Sequence, residues 1–360
     1  MKKSNVAFLV GNLELGGGGE RTVCNLANGL SAYYCVHIFH FGKRCPFDLI
    51  PDVRIHNLST NGSYIIRKIM RRRFLQNAIR ENDIELIVSF GWQQSIYVLN
   101  VKKGSNYKWI SSERNNPVLE PSTRFWRWMR DRAYRASDYL VFQTKFARDY
   151  FNLKKSTIIL NPIKECLPTQ CDYYSTDKVI VTFCRLYKQK NIPLLIDAFE
   201  LFYKNHNDYR LMIYGDGEEY CGLVEYIKKK RLDKQITIHP FEADIHSKIL
   251  NSKMYVSSSD YEGLSNSMLE AMAMGMPTIV TDCPVYGARA VIKNGLNGFI
   301  VPMSDPLALS DTMGKIADNY KLAVSIGKNA KDVTIVCNIK TVCEKWKTVI
   351  DMVLYGHTCV

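Results

Sequence analysis

Short apolar runs of strand length alternate along the chain with stretches of helical periodicity. In the first half the runs fall at Val6–Val10, Val36–His40, Leu86–Phe90, Lys108–Ser111 and Tyr139–Phe142, with helical segments between them, the first over Thr22–Leu30. A second series follows at Val179–Phe183, Arg210–Tyr214, Gln235–Ile238, Met254–Ser258 and Pro277–Thr281, with helices over Ile192–Tyr203 and Glu219–Lys230. Asn294–Pro302 reads as a hairpin or as a turn into a short strand, and the tail has helical patterns at Pro306–Ala317 and Thr341–Leu354. Strands separated by helices in this way predict parallel sheets covered on both faces. Two such series predict two α/β domains. Asn161-Pro162-Ile163 closes the first, and Lys164–Asp177, with Pro168, Thr169, Gln170, Ser175 and no periodicity, reads as a linker.

At 360 residues and 46% hydrophobic content the chain is long enough for two cores. No run reaches membrane-spanning length, and the apolar run after Met1–Asn5 is too short for a signal peptide. The 11 cysteines are scattered, without a Cys-x-x-Cys pair or a zinc spacing. They read as reduced, mostly buried thiols of a cytoplasmic protein. The net charge of +13 belongs entirely to the first half: 26 Lys and Arg stand against 13 Asp and Glu through Gln170, and 22 against 22 after it. A basic half suits a membrane surface, a phosphorylated substrate or a nucleic acid, or is simply solvated. Tyr64–Leu75 and Arg124–Arg132 each mix cations with large apolar groups. On helices these form either an interfacial face, with rings at headgroup depth, or surface helices packing their apolar side inward. No RNA-binding signature accompanies them, so a nucleic-acid partner is not expected.

The glycines Gly16–Gly19 lie between the first strand and its helix, where backbone can approach a phosphate or merely turn. No Gly-Lys-Ser/Thr closes the loop, Arg21 takes the last place of a Gly-x-Gly-x-x-Gly, and no acid ends Val36–His40; a P-loop and an NAD site are therefore not expected. Gly91-Trp92-Gln93-Gln94 and Ser112-Glu113-Arg114-Asn115 follow strands at the rim where such sheets bind ligands, or are ordinary turn clusters. Arg185 and Lys190 bracket the loop after the second series' first strand, a sensible clamp for a diphosphate. The most informative stretch is Glu262-Gly263-Leu264-Ser265-Asn266-Ser267-Met268-Leu269-Glu270. Ser265 and Asn266 can cap a helix whose first amides attract an anion. That helix is apolar on nearly every face, so Glu270 needs a buried partner, either a protein group or a ligand's hydroxyls. Taken alone, the two carboxylates could also be a general acid and base.

The glycine loop, the cationic clamp, Gly215-Asp216-Gly217 and the Glu-x7-Glu element running into Ala271-Met272-Ala273-Met274-Gly275-Met276-Pro277 together resemble the retaining glycosyltransferases of family 4, over nearly the whole chain. The resemblance implies the GT-B fold: α/β, two Rossmann-like parallel-sheet domains facing a central cleft. It implies an acceptor domain at 1–165, a linker at 166–177, a donor domain at 178–340 and a C-terminal helix at 341–360 packing back on the first domain. Arg185, Lys190 and Glu262 would be catalytic. The donor would be held by Gly17, Gly18, Gly19, Gly215, Gly217, Gly263, Leu264, Ser265, Asn266, Ser267 and Glu270, with the clamp on the diphosphate, Glu270 on the ribose and Glu262 facing the sugar. Trp92, Glu113 and Arg114 are candidate sugar or acceptor contacts. Arg114 stands where many members have His, Cys184 where a Gly precedes the clamp Arg, and His239-Pro240-Phe241 where a Gly-containing loop is common.

The family needs no metal or other cofactor, because the leaving phosphate takes the acceptor's proton. Ser112–Pro117 looks like members that assemble bacterial surface polysaccharide (capsule, O-antigen or exopolysaccharide) on a lipid carrier. That implies a UDP-hexose or UDP-N-acetylhexosamine donor and a glycan acceptor on a polyprenyl diphosphate. It also implies work at the anionic cytoplasmic face of the inner membrane. Two rivals remain: a nucleotide-sugar epimerase of the same fold, and a non-catalytic binder of nucleotide sugar or anionic lipid.

Overall fold

A computed structural model describes residues 3–102, 104–170, 173, 176–242 and 244–356. The chain forms two compact units, Met1–Pro162 with Cys337–Val360, and Ile163–Val336. In the first, β1 (Asn5–Leu9), α1 (Gly18–Leu30), β2 (Cys35–His40), β3 (Arg54–Asn57), α2 (Tyr64–Glu81) and β4 (Leu86–Phe90) lead into α3 (Trp92–Val101), β5 (Lys108–Ser112), α4 (Arg124–Ala136), β6 (Tyr139–Phe142), α5 (Lys145–Phe151) and β7 (Ser156–Ile158). The second holds β8 (Asp177–Phe183), α6 (Ile192–Tyr203), β9 (Arg210–Tyr214), α7 (Tyr220–Lys229), β10 (Ile236–His239), α8 (Ile245–Ile249), β11 (Ser252–Ser257), α9 (Asn266–Ala273), β12 (Thr278–Thr281), β13 (Phe299–Val301), α10 (Pro306–Asp318) and α11 (Tyr320–Ala330). After α12 (Val333–Cys337) the chain ends in α13 (Ile339–Tyr355), which belongs to the first unit. Among the described residues no helix is long and apolar enough to cross a membrane.

Each unit is built on a wholly parallel sheet, of order β3-β2-β1-β4-β5-β6-β7 in the first and β10-β9-β8-β11-β12-β13 in the second. Alternation along a strand sends side chains to opposite faces. Val6 and Phe8 of β1 pack with Leu26 and Leu30 of α1 and with Trp346 and Ile350 of α13, whereas Ala7 and Leu9 meet Leu75 of α2 and Ile96 of α3 on the other side. Trp346 is wholly buried against Phe8 and Phe90, at ring separations of 6.5 and 5.7 Å, so α13 is part of this core.

The departures from the sequence pattern have local causes. The edge strands β3 and β7 are polar and half-exposed, and so carry no apolar run to mark them. The first helix begins at Gly18 rather than Thr22, so Gly18 and Gly19 form its first turn instead of a loop. At 294–302 the turn into a short strand is observed and the hairpin is not, because β13 runs parallel to β12. A helix, α11, forms where the pattern predicts none, capped by the Asn319 side chain, which accepts from Leu322 N at 3.0 Å. Of the linker expected at 166–177, residues 171, 172, 174 and 175 lie outside the described residues. Gln170 is firmly part of the second unit: its amide donates to Leu250 O and Ser252 O, both at 3.0 Å, and its backbone N–H to Met274 O at 2.7 Å.

In both sheets the strand order reverses direction once, between β1 and β4 and between β8 and β11. Ligands of open parallel sheets bind beyond the carboxyl ends of strands at such a reversal. The loops leaving β8 and β11 are therefore where topology alone places a site in the second unit.

Candidate active site

Those two loops are laced together. Asp260 N donates to Gln189 O at 2.9 Å, Gln189 Nε2 to Tyr261 O at 2.6 Å, Asn191 Nδ2 to Asp260 Oδ1 at 2.8 Å and Ser258 Oγ to Lys190 O at 3.0 Å. The Lys190 end of the clamp loop and the Glu262 stretch, remote in sequence, are thus one structure. Within it Lys190 Nζ pairs directly with Glu262 Oε1, and Ser259 Oγ donates to the same oxygen at 3.3 Å. The two side chains are only 15% and 19% exposed. Burial, the largest single influence, works against the ammonium charge, but Glu262 with Cys184 and Tyr255 outweighs it and holds Lys190 above the usual lysine range. Burial in the same cluster pushes the Cys184 thiol up to about 11 and the Tyr255 hydroxyl up to about 12.

Arg185 is different. It is exposed, its guanidinium lies 5.2 Å from the Tyr187 ring, and it makes no ion pair among the described residues. The clamp is therefore asymmetric, one cation neutralised within the fold and one facing outward.

Ser265 is the N-cap of α9, as its composition predicts, accepting from Met268 N at 3.4 Å. Ser267 is set by Tyr255 OH at 2.9 Å and by Ser265 Oγ at 3.0 Å. Gly263 and Leu264 are held from behind by Gly287, where an added Cβ would come within 1.5 Å of Gly263 O. The partner that buried Glu270 requires is a protein group: His246 Nε2 lies 3.0 Å from Oε2, with both side chains nearly inaccessible. His246, on α8, is one His in an otherwise ordinary segment and gives no signal in the sequence until the chain folds.

Gly215 and Gly217 also have a reason inside the fold. A Cβ at Gly215 would come 1.8 Å from Cys184 O, and one at Gly217 2.3 Å from Leu186 O. The Gly215–Gly217 turn is thereby pressed onto the start of the clamp loop, and Leu186 N donates to Asp216 O at 2.8 Å.

In the first unit, Gly17 is the N-cap of α1 and brings no side-chain cap, so this helix begins on backbone amides at Gly17, Gly18 and Gly19. Glu113 is turned inward: Oε1 accepts from Arg114 N at 2.8 Å and Asn115 N at 2.9 Å, and Oε2 from the Tyr134 hydroxyl at 2.8 Å. Burial raises its carboxyl above the usual range, although these hydrogen bonds and Arg130 oppose the rise. Such a carboxylate braces the loop after β5, with both oxygens engaged by groups of its own unit. Arg114 lies over the Phe90 ring at 4.4 Å and 5.7 Å from Trp346, and Nη1 donates to Asn161 Oδ1 at 3.1 Å. Burial pushes it down to about 9, with Glu113 pulling the other way, and Nε and Nη2 have no hydrogen-bond partner among the described residues. Trp92 is half-buried and packs on Trp126 at 6.1 Å. Among the described residues no group of three or more His, Cys, Asp or Glu is placed to hold a metal ion.

Residues 169–333 match the family profile described as Glycosyl transferases group 1. The chain is 27% identical to poly(ribitol-phosphate) alpha-N-acetylglucosaminyltransferase of Staphylococcus aureus over 48% of its own length and only 35% of that protein. It is 24% identical, over 95% of this chain and 96% of the other, to the Campylobacter jejuni GalNAc-alpha-(1->4)-GalNAc-alpha-(1->3)-diNAcBac-PP-undecaprenol alpha-1,4-N-acetyl-D-galactosaminyltransferase. The crystal structure of Anabaena Alr3699/HepE in complex with UDP matches with a TM-score of 0.81 at 15% identity, covering 98% of this chain and all of that one. The fold of the two parallel-sheet units is GT-B.

Proposed function

We propose that this chain, a glycosyltransferase whose residues 169–333 form a Glycosyl transferases group 1 domain, is a retaining, metal-independent enzyme of family 4. In this reading it moves a hexose or N-acetylhexosamine from a UDP-sugar to a hydroxyl of a lipid-linked glycan during bacterial surface-polysaccharide synthesis. The observation that carries the reading is the joined pair of loops at the reversal of the second sheet, in which Lys190 is buried against Glu262 in the stretch that leads into the Ser265-capped start of α9, with Arg185 exposed in the first of the two loops. The names of the relatives support an N-acetylhexosamine and a lipid-diphosphate acceptor, and the UDP-bound neighbour supports a uridine donor.

In this reading Arg185 neutralises the diphosphate from outside while Lys190, kept charged by Glu262, does so from within. The amides at the α9 start take a phosphate oxygen. Glu270, oriented by His246, accepts from ribose hydroxyls, and Glu262 faces the sugar. As the bond from the sugar's anomeric carbon to the diphosphate oxygen breaks, the acceptor oxygen bonds to that carbon on the same face. Its proton passes to the departing phosphate, so no side chain need act as base. The diphosphate then leaves as UDP. The enzyme works at the cytoplasmic face of the membrane that carries its acceptor.

The test is transfer of radiolabel from a panel of UDP-sugars to a lipid-linked glycan extract, with the anomeric configuration of the product read by NMR. Acceptor-dependent release of UDP with retention supports the reading. An isomerised UDP-sugar formed without acceptor would make it an epimerase, and binding without turnover would make it a sensor.

A further inference from the structure

The solvent side of the first unit carries large apolar side chains that its own packing does not use. On α4, Phe125 and Trp128 are 60% and 55% exposed and stand three residues apart, hence on one face, while Ala133 and Tyr134 are buried on the other. Arg132 lies 5.7 Å from the Trp128 ring on that outer face. Arg130, which the sequence groups with the interfacial cations, is wholly internal: Nη1 donates to Pro117 O and Glu120 O, both at 2.6 Å. It fastens the turn before α4, and that turn holds Val118 and Leu119 outward. On α2, Ile66 and Ile69 are half-exposed among Arg67, Arg72 and Arg73, and Lys68 Nζ lies 4.8 Å from the Trp126 ring, joining α2 to α4. The side chains of Tyr64 and Ile65 lie outside the described residues.

Surface helices normally turn their polar side to water, and these two present apolar groups there. Single exposed apolar residues are ordinary, but a group of them rimmed by cations marks a surface that something covers. The chemistry selects the cover. Aromatic rings alone would suit stacked bases, whereas Val118, Leu119, Ile66 and Ile69 have no face to stack and suit acyl chains. Guanidinium groups beside them suit lipid phosphates, and the half of the chain through Gln170 holds the whole net positive charge.

We propose that Val118, Leu119, Phe125 and Trp128 form a wedge that enters the headgroup–acyl boundary of an anionic bilayer, with the exposed Arg72 and Arg73 of α2 and Arg132 of α4 on headgroup phosphates. The wedge gives the membrane-borne acceptor of the proposed reaction its surface, and in that purpose rests on that reading, but it is tested without any sugar. Vesicles of phosphatidylglycerol and phosphatidylcholine in equal parts, and of phosphatidylcholine alone, are sedimented with the full chain. We expect binding to the anionic vesicles only. Phe125→Ser with Trp128→Ser weakens partitioning by about tenfold or more, with melting temperature and UDP-induced stabilisation unchanged. Arg72→Gln with Arg73→Gln removes the salt-sensitive part of the binding. Wild-type partitioning by the double serine variant overturns the proposal, as does failure of the wild type to bind. A concentration-dependent dimer dissolved by the same variant, without vesicle binding, also overturns it and assigns the face to a second copy of the chain. If UDP stabilises nothing while vesicle binding follows the wedge, the donor reading fails and the wedge stands.

Discussion

Glu262→Gln and Lys190→Met, made singly and together, measure the pair at the centre of the site. Unit charges about 4 Å apart interact by about 4 kcal/mol at an effective dielectric of about 20. With side chains 15% and 19% exposed, desolvation of both partners takes back a large part, which leaves a net coupling of about 2 kcal/mol. Urea unfolding at neutral pH supplies the four stabilities of the cycle. The pH dependence gives a second reading of the same pair. Lys190 is held above its ordinary value of 10.5 in the folded state, so its contribution is complete below that value and is lost as pH rises from there toward the folded value. The stability difference between wild type and Glu262→Gln is therefore flat from neutral pH to about pH 10 and shrinks above it. A coupling under about 0.5 kcal/mol, or a difference indifferent to alkaline pH, refutes the claim that Glu262 keeps Lys190 charged. In kinetics with the donor, Glu262→Gln is then expected to lower kcat as well as donor affinity, because it weakens the inner cation along with the sugar contact proposed for Glu262.

Gly287→Ala must displace Gly263 O from 1.5 Å and with it the loop bearing Glu262, so it costs about 2–4 kcal/mol in thermal unfolding and abolishes UDP-induced stabilisation; Gly222→Ala on α7, where a Cβ meets nothing within 4 Å, instead stabilises by about 0.5–1 kcal/mol. His246→Ala deprives Glu270 of a partner at 3.0 Å and leaves a cavity, a loss of about 2–4 kcal/mol, with donor affinity falling further than in a core variant of equal stability cost such as Ile196→Ala. Trp346→Ala removes the wholly buried ring against Phe8 and Phe90 and costs about 3–5 kcal/mol, read by urea unfolding; an unchanged midpoint would mean that α13 is not part of the first unit's core.

The series of parallel strands was legible because most central strands are short apolar runs that alternate along the chain with segments of helical periodicity. The edge strands β3 and β7 were not, since an edge with one exposed face has no such run to show. The glycine helix start at Gly18 was hidden for another reason: glycine carries no side chain to register a period, so the pattern begins four residues late. At the site, Ser265 announced its cap by type and position alone. His246 could not be read, because its place beside Glu270 depends on how α8 and α9 are packed 24 residues apart in sequence.

By itself, then, the sequence determined two α/β folding series, the apolar helix with its polar start and the residue types of a cationic clamp, all set by local pattern and local chemistry. Tertiary structure alone decided that Lys190 is neutralised by Glu262 while Arg185 is not, and that Glu270 leans on His246. It also decided that Glu113 braces a loop and that Arg130 is internal while Phe125 and Trp128 face outward. Each of these is a question of which partner stands within hydrogen-bonding or packing reach. Residues of one type in one segment receive opposite answers according to the strand or helix brought beside them.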